Sequence, residues 1–328
     1  TEIDPAAHSV TLSGGDRLRY DALVLATGLR PRRLPGFTGE RVHYLRTLAD
    51  ARALREQLDR AERLVVLGAG FVGSEVAASA VALGKQVTIF EPAPAPLATV
   101  LGTGMGGVLV EIHREHGVEV RLGEYVTDVT DTGAGLVLTS SRGDRVECDL
   151  VLVAVGSVPN MELAQSAELA TANGITVDEY GRTSAPDVYA VGDVASRHHP
   201  AYGEPVRVEH HDNAIRQGVN LAANLTGTPT PYAEAHWFWS DQYEHTLQSV
   251  GRPRNLEELI VRGSPGERSF SAFSLTDGRI DAVIALNRPG DVLAVRRMLF
   301  APHSVTEEQL RDESVPLKQL IPKPAART

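Results

Sequence analysis

Cysteine is nearly missing from this chain, with Cys148 the single example in 328 residues. One thiol excludes an internal disulfide and cannot supply a redox dithiol, which fits a reducing compartment. Long apolar runs are missing too. None approaches the ~18–20 residues that span a bilayer, and no signal peptide precedes the first strand. The chain therefore reads as a cytoplasmic protein. Cations are in short supply: 32 Lys and Arg against 42 Asp and Glu leave a net charge of −10. That balance argues against nucleic acid or an anionic membrane as the main partner. The deficit is uneven, because residues 251–328 carry 12 cations against 10 acids and are +2 on their own. Histidine pairs occur at His198-His199, His210-His211 and His113-x-x-His116, but without cysteine or convergent spacing they assign no metal. A content of 42% hydrophobic and 23% charged residues is that of a globular protein, and the length suits two or three domains.

What is present centres on Leu64-Val65-Val66-Leu67-Gly68-Ala69-Gly70-Phe71-Val72-Gly73. An apolar run ends in Gly-x-Gly-x-x-Gly, a helical stretch follows to Gly84, and a second apolar run ends at Glu91. In that setting Gly68 allows the tight turn, Gly70 lets the backbone approach a pyrophosphate, and Gly73 brings helix and strand together. Phe71 and Val72 complete the turn, and the helix N-terminus offers its free N–H groups to the anion. Glu91 can accept both ribose hydroxyls of an adenosine. No Arg or Lys follows before Arg114, so nothing pairs with a 2′-phosphate and NAD(H) is favoured over NADP(H). The competing explanation is an ordinary tight βα turn.

Around this unit the texture varies. Val10–Leu12, Leu18–Tyr20 and Leu23–Ala26 read as strands, and Leu48–Leu58 as a charged amphipathic helix. Past Glu91 comes a stiff Pro-Ala-Pro-Ala-Pro loop, then a helix over Val108–His116 and a strand at Val118–Arg121. Leu101–Gly107 mimics a second glycine fingerprint, but a proline-rich loop precedes it, so it reads as a flexible turn. Val126–Val129 and Leu136–Thr139 form a small antiparallel insert, and Leu150–Val155 is a buried parallel strand. Asp187–Asp193 is a further strand with an acid at its tip, and Asp212–Leu225 a helix. After Pro231, alternating stretches at Leu247–Val250, Glu258–Arg262, Ser269–Leu275 and Ile280–Leu286 predict an antiparallel sheet. A helix near Val292–Leu299 and a proline-rich tail follow.

Three features recur in one arrangement: Leu25-Ala26-Thr27-Gly28 before the glycine unit, Ala154-Val155-Gly156 after it, and Tyr189-Ala190-Val191-Gly192-Asp193 beyond. This resembles the two-dinucleotide flavoprotein reductases of the glutathione-reductase superfamily. Trp237-Phe238-Trp239-Ser240-Asp241-Gln242-Tyr243, Ile260–Gly263, Asn287-Arg288-Pro289 and Asp312–Lys318 resemble, more narrowly, the putidaredoxin-reductase type of ferredoxin reductase. The fold class implied is α/β, with two Rossmann-like nucleotide-binding domains and a C-terminal α+β domain. An NAD domain at 49–156 is inserted into an incomplete FAD domain at 1–48 and 157–231, and the reductase domain covers 232–328.

The resemblance implies hydride transfer from NADH to FAD, then single-electron transfers to a [2Fe-2S] ferredoxin serving an oxygenase or cytochrome P450 system. It places Thr27, Gly28, Arg46, Val155, Gly156, Gly192 and Asp193 at the FAD, with Asp193 on the ribityl chain. Glu209, His210 and His211 precede a helix whose N-terminus can stabilise a reduced flavin. His211 departs from the apolar or aromatic residues usual there. Glu75, read as lying on the first turn of the helix, faces the nicotinamide in the family. Trp239 stands between flavin and partner. Each has a plainer alternative: a turn cap for Asp193, a surface arginine for Arg46, helix-end charge for Glu75 and core packing for Trp239.

Family members open with a first glycine fingerprint for the FAD pyrophosphate and a lysine beside the flavin. This sequence holds neither and is read as N-terminally truncated. Two rival functions stay in view. One is a disulfide reductase, to which His303 and Glu307 give a faint His–Glu signal. The other is a redox-sensitive binding flavoprotein of the apoptosis-inducing-factor type, suggested by Glu209-His210-His211-Asp212.

Overall fold

The computed structural model describes residues 1–320. The proline-rich tail at 321–328 lies outside the described residues. The chain forms two compact units, one from 1–30 with 157–238 and the other from 31–156 with 239–328.

The first unit contains a three-stranded antiparallel sheet, Glu2–Asp4, Ser9–Thr11 and Arg17–Arg19. Leu23–Leu25 pairs in parallel with Val188–Ala190. A four-stranded sheet is made by Thr171–Ala172, Gly174–Val177, Ala195–His199 and Glu204–Val206, none of which the sequence pattern predicted. These strands run two to five residues, too short for a periodic signal to build up. Their core is aliphatic, with Leu25, Ile175, Val188, Ala190 and Val194 packed together. The helix His211–Thr226 turns an amide stripe inward, burying Asn213 and Gln217 beside Leu221.

The second unit is built on five parallel strands in the order Val42–His43, Leu150–Val153, Arg63–Leu67, Gln86–Glu91, Glu119–Leu122. The two central runs, Leu64–Leu67 and Leu150–Val153, are buried throughout, as a parallel sheet covered on both faces requires. The helices Phe71–Ala82 and Ala98–Glu115 follow the third and fourth of these strands. Leu48–Leu58 is a helix over the predicted range, closed by a capping box between Thr47 and Asp50. A third strand, Arg145–Cys148, joins Val126–Asp131 and Leu136–Ser140 in the antiparallel insert.

One reading is corrected. The helix predicted from Val108 lies within Ala98–Glu115, two helical runs joined across a kink at Gly102, so most of the supposed flexible turn at 101–107 is helical. Only Gly102 leaves helical geometry, at φ 78° and ψ 167°. A Cβ at Gly102 would stand 2.7 Å from the Leu256 carbonyl oxygen, and one at Gly106 would stand 2.4 Å from that of Pro96. These glycines let backbones approach closely, and looseness is not their purpose.

The C-terminal sheet runs Trp237–Gln242, His245–Gly251, Arg279–Leu286, Ser269–Thr276, Ile260–Ser264. The helix Pro289–Met298 packs on it through Val292, Val295 and Met298. Arg262 clamps the following segment: its guanidinium, 3% exposed, donates to the carbonyls of Leu310 (3.0 Å), Asp312 (2.7 Å) and Val315 (2.7 Å). Arg262→Leu strands one buried and two part-buried acceptors. It is expected to cost about 3 kcal/mol, read as a fall in Tm, and an unchanged Tm would show the clamp to be ornamental. Among the described residues no helix is long and apolar enough to cross a membrane.

Candidate functional site

The second unit places the glycine turn between strand and helix as the fingerprint requires. Gly68 has φ 97°, and a Cβ there would stand 2.5 Å from the Ala154 carbonyl oxygen and 3.5 Å from Val155 Cα. At Gly73 a Cβ would stand 2.0 Å from the Gly68 carbonyl oxygen, so the helix lies directly on the turn. Gly70 differs. It is the helix N-cap, makes no side-chain cap, and a Cβ there would meet nothing within 4 Å. The open space lies where a pyrophosphate has to approach the N–H groups of the helix end, so the turn fits a dinucleotide. Phe71 and Val72 are the first two helical residues, and Val72 is exposed. Gly156, just past Val155, has φ 98° and also faces open space.

Glu91 closes the second strand with its carboxylate fixed at both oxygens. Oε2 accepts the Ala69 N–H at 2.7 Å and Oε1 the Ala93 N–H at 2.8 Å. Each oxygen keeps a lone pair for a ribose hydroxyl. The sequence showed no cation close along the chain, but the fold supplies one from the next strand. Arg121 stands opposite Phe90 in register, its guanidinium 5.3 Å from the ring centroid. It is committed to Glu119 (2.8 Å), Asp144 (3.3 Å) and Glu124 (3.6 Å). A 2′-phosphate would have to compete with three carboxylates for it.

Glu75 is the fifth helical residue after Gly70, so it sits in the second turn, not the first as read from the sequence. Helix-end stabilisation fades within one turn, which removes that plainer account. Its Oε1 accepts a hydrogen bond from Ser240 Oγ at 2.6 Å. Burial pushes the Glu75 carboxyl above its usual range, the Ser240 hydrogen bond opposes this, and Asp241 adds to it. Trp239 is the half-buried neighbour of Ser240 on the strand Trp237–Gln242.

The first unit gathers the other residues. Asn160 receives the Thr27–Gly28 turn: Thr27 Oγ1 donates to its carbonyl at 2.7 Å, its amide donates to the Thr27 carbonyl at 2.8 Å, and its N–H to that of Gly28 at 3.0 Å. Gly192 opens a short 3-10 turn ending the strand Val188–Ala190, and its N–H donates to Gln217 Oε1 at 2.9 Å. Asp193 follows, half-buried. Arg207, absent from the sequence reading, ties this turn to Glu209. Its Nη1 donates to the Asp193 carbonyl at 3.2 Å and pairs with the Glu209 carboxylate at 2.6 Å. Glu209 also accepts from Ser157 Oγ. His210 is the N-cap of the helix His211–Thr226, and His211 is exposed at its start. A carboxylate and a glycine turn at the carboxyl ends of two paired parallel strands suit the ribityl end of a flavin. Arg46 belongs to the second unit, exposed ahead of the helix Leu48–Leu58, its N–H donating to Asp50 at 3.1 Å.

The lone thiol and the histidine of the faint His–Glu signal are both otherwise engaged. Cys148 is 1% exposed, and burial with the neighbouring Asp149 pushes its thiol up to about 12, so it is inert. His303 Nε2 accepts the Ile280 N–H at 2.8 Å and Nδ1 lies 2.9 Å from the Ala301 carbonyl. Both ring nitrogens serve the fold. The decoy pair His113 and His116 packs against Tyr243, His113 Nδ1 lying 2.8 Å from its hydroxyl.

A dinucleotide turn with an acidic strand end in one unit, and a flavin-type strand-end turn in the other, define a nucleotide-dependent oxidoreductase. Residues 1–218 match the pyridine nucleotide-disulphide oxidoreductase family, and residues 237–321 match the reductase C-terminal family. The chain is 41% identical over 322 residues to rhodocoxin reductase of Rhodococcus erythropolis, covering 97% of this chain and 75% of that one. It is 40% identical over 329 residues to putidaredoxin reductase of Pseudomonas putida, covering 98% and 78%. The crystal structure of a covalent putidaredoxin reductase–putidaredoxin complex superimposes with a TM-score of 0.93 at 40% identity, covering 98% of this chain and 79% of that one. A ferredoxin reductase from Rhodopseudomonas palustris gives 0.94 at 38%, covering 98% and 80%. The chain belongs to the putidaredoxin-reductase type of ferredoxin reductases, FAD-dependent oxidoreductases that use NAD(H).

Proposed function

We propose that this protein carries electrons from NADH through FAD to a [2Fe-2S] ferredoxin that serves an oxygenase or cytochrome P450 system, in the cytoplasm. The observation that carries the reading is the match of nearly the whole chain, reductase C-terminal segment included, to reductases named for ferredoxin-type partners. When bound, FAD takes a hydride from NADH and passes electrons on singly.

The residues divide the remaining work. Residues 49–156 hold NADH, with Gly68, Gly70, Phe71, Val72 and Gly73 on its pyrophosphate and Glu91 on its adenosine ribose. Residues 1–48 and 157–231 hold FAD through Thr27, Gly28, Arg46, Gly192 and Asp193, with Glu209, His210 and His211 at the start of the flavin-facing helix. Val155 and Gly156 line its edge. Glu75 orients the nicotinamide, and Trp239 faces the partner from the domain at 232–328. Buried and protonated at neutral pH, Cys148 takes no part in a thiol relay.

Residues 251–328 carry +2 in a chain of −10, which suits an acidic ferredoxin. Arg296 and Arg297 close the helix Pro289–Met298 and are the cations chosen to test this. Reversing both to Glu is expected to slow ferredoxin-dependent turnover about tenfold at low salt and to flatten its salt dependence. Flavin reduction by NADH should keep its rate. Loss of both half-reactions together would mean a damaged fold, and no change in either would remove this pair from the docking surface.

A further inference from the structure

Ser240 and Gln242 stand two residues apart on one strand, so their side chains share a face. Both are buried, at 1% and 2% exposure. Gln242 Nε2 donates to Ser240 Oγ at 3.1 Å, and Ser240 Oγ reaches Glu75 Oε1 at 2.6 Å. The chemistry of the three groups fixes the direction of this chain. An amide N–H can only donate, so it occupies a lone pair of the serine oxygen. The serine has one proton, and among the described residues Glu75 is its only acceptor. The separation is that of a hydroxyl bonded to an ionised carboxylate.

Behind Gln242 stands His113, on the helix Ala98–Glu115. Its Nδ1 lies 2.8 Å from the Tyr243 hydroxyl. His113 is held neutral by burial, its pKa lowered to about 4, and Gln242 is the side chain that favours a proton on it. His113 Nε2 and Gln242 Oε1 are both buried, and among the described residues neither has a hydrogen-bond partner.

We propose that Ser240 is the positioning residue of Glu75, fixing where its carboxylate points through a hydrogen bond that Gln242 directs. The proposal rests on the reading of Glu75 as the carboxylate that faces the nicotinamide. A buried carboxylate with one directed donor is held in place, and the donor opposes the upward push that burial gives its pKa. Asp241, next along the strand, acts in the opposite sense on the same group. Ser240 therefore lets a half-buried acid keep its charge where the positive nicotinamide ring forms.

The test follows the Glu75 carboxyl directly by 13C NMR titration of glutamate-labelled protein, its signal assigned by loss in Glu75→Gln. In Ser240→Ala the titration is expected to move to higher pH, and in Ser240→Thr, which keeps the hydroxyl, to return toward the native position. In the flavin-loaded protein, reduction by NADH near neutral pH should fall about tenfold in Ser240→Ala, with its pH profile displaced in the same direction. An unmoved Glu75 titration in Ser240→Ala overturns the proposal. If the titration moves while neither Ser240→Ala nor Glu75→Gln alters reduction, the positioning stands and the reading of Glu75 falls.

Discussion

Alanine at Gly73 is expected to abolish NADH-driven flavin reduction by more than about a hundredfold, whereas alanine at Gly70 should spare the fold and lose only NADH. The added Cβ at Gly73 meets the Gly68 carbonyl oxygen at 2.0 Å and Val66 Cγ1 at 3.2 Å, and a backbone oxygen has no rotamer to escape into. The helix must lift off the strand, an overpacking that costs about 1–3 kcal/mol and displaces the N–H groups that meet the pyrophosphate. At Gly70 the Cβ enters empty space, so thermal stability stays put and the clash appears only against the ligand. Melting curves with and without NADH separate the cases: Gly73→Ala lowers Tm in both, and Gly70→Ala removes only the shift that NADH produces. Equal losses of apo stability at the two positions would defeat the division of labour between them.

The second large effect lies at Glu91. Its carboxylate is held by the amides of Ala69 and Ala93, which sets both oxygens at the strand end before any ligand arrives. Glu91→Ala removes two charge-assisted acceptors for ribose hydroxyls, each worth about 1.5–3 kcal/mol. KM for NADH is expected to rise about 100-fold or more. NADPH gains from removal of a repelling charge, so the preference for NADH should shrink about tenfold or more. Arg121 will not rescue NADPH strongly, because three carboxylates already surround it. Steady-state efficiencies with both nucleotides decide the matter, and equal values in the unmodified protein would sink the specificity argument.

Much of this was legible because the signals were local. Leu64–Leu67 and Leu150–Val153 announce a parallel sheet by unbroken apolarity, and the glycines of 68–73 must lie where a strand meets a helix. The same logic failed at 101–107, where glycine was taken as looseness while its cause, the carbonyls of Leu256 and Pro96, is supplied by other segments. Glu75 was found through resemblance, but its partner is 165 residues away, a separation that no spacing rule reaches. A weaker signal was available, since Ser240 and Gln242 put two polar residues on the strand face they share with Phe238. Arg207 and Asn160 gave no sign in the sequence, because their donors and acceptors serve backbone groups that only the folded chain brings near.

The sequestered thiol of Cys148 has a practical corollary. Packed among Leu136, Leu138 and Val151 and protonated throughout the neutral range, it is silent toward maleimides and methanethiosulfonates. Residues 1–328 therefore offer no reactive thiol of their own to compete with an introduced one. Leu293, half exposed on the helix Pro289–Met298, is a suitable place for one introduced cysteine, written Leu293→Cys. A nitroxide or fluorophore there would report the approach of a paramagnetic iron–sulfur centre by relaxation or quenching, with no background from the other thiol of residues 1–328.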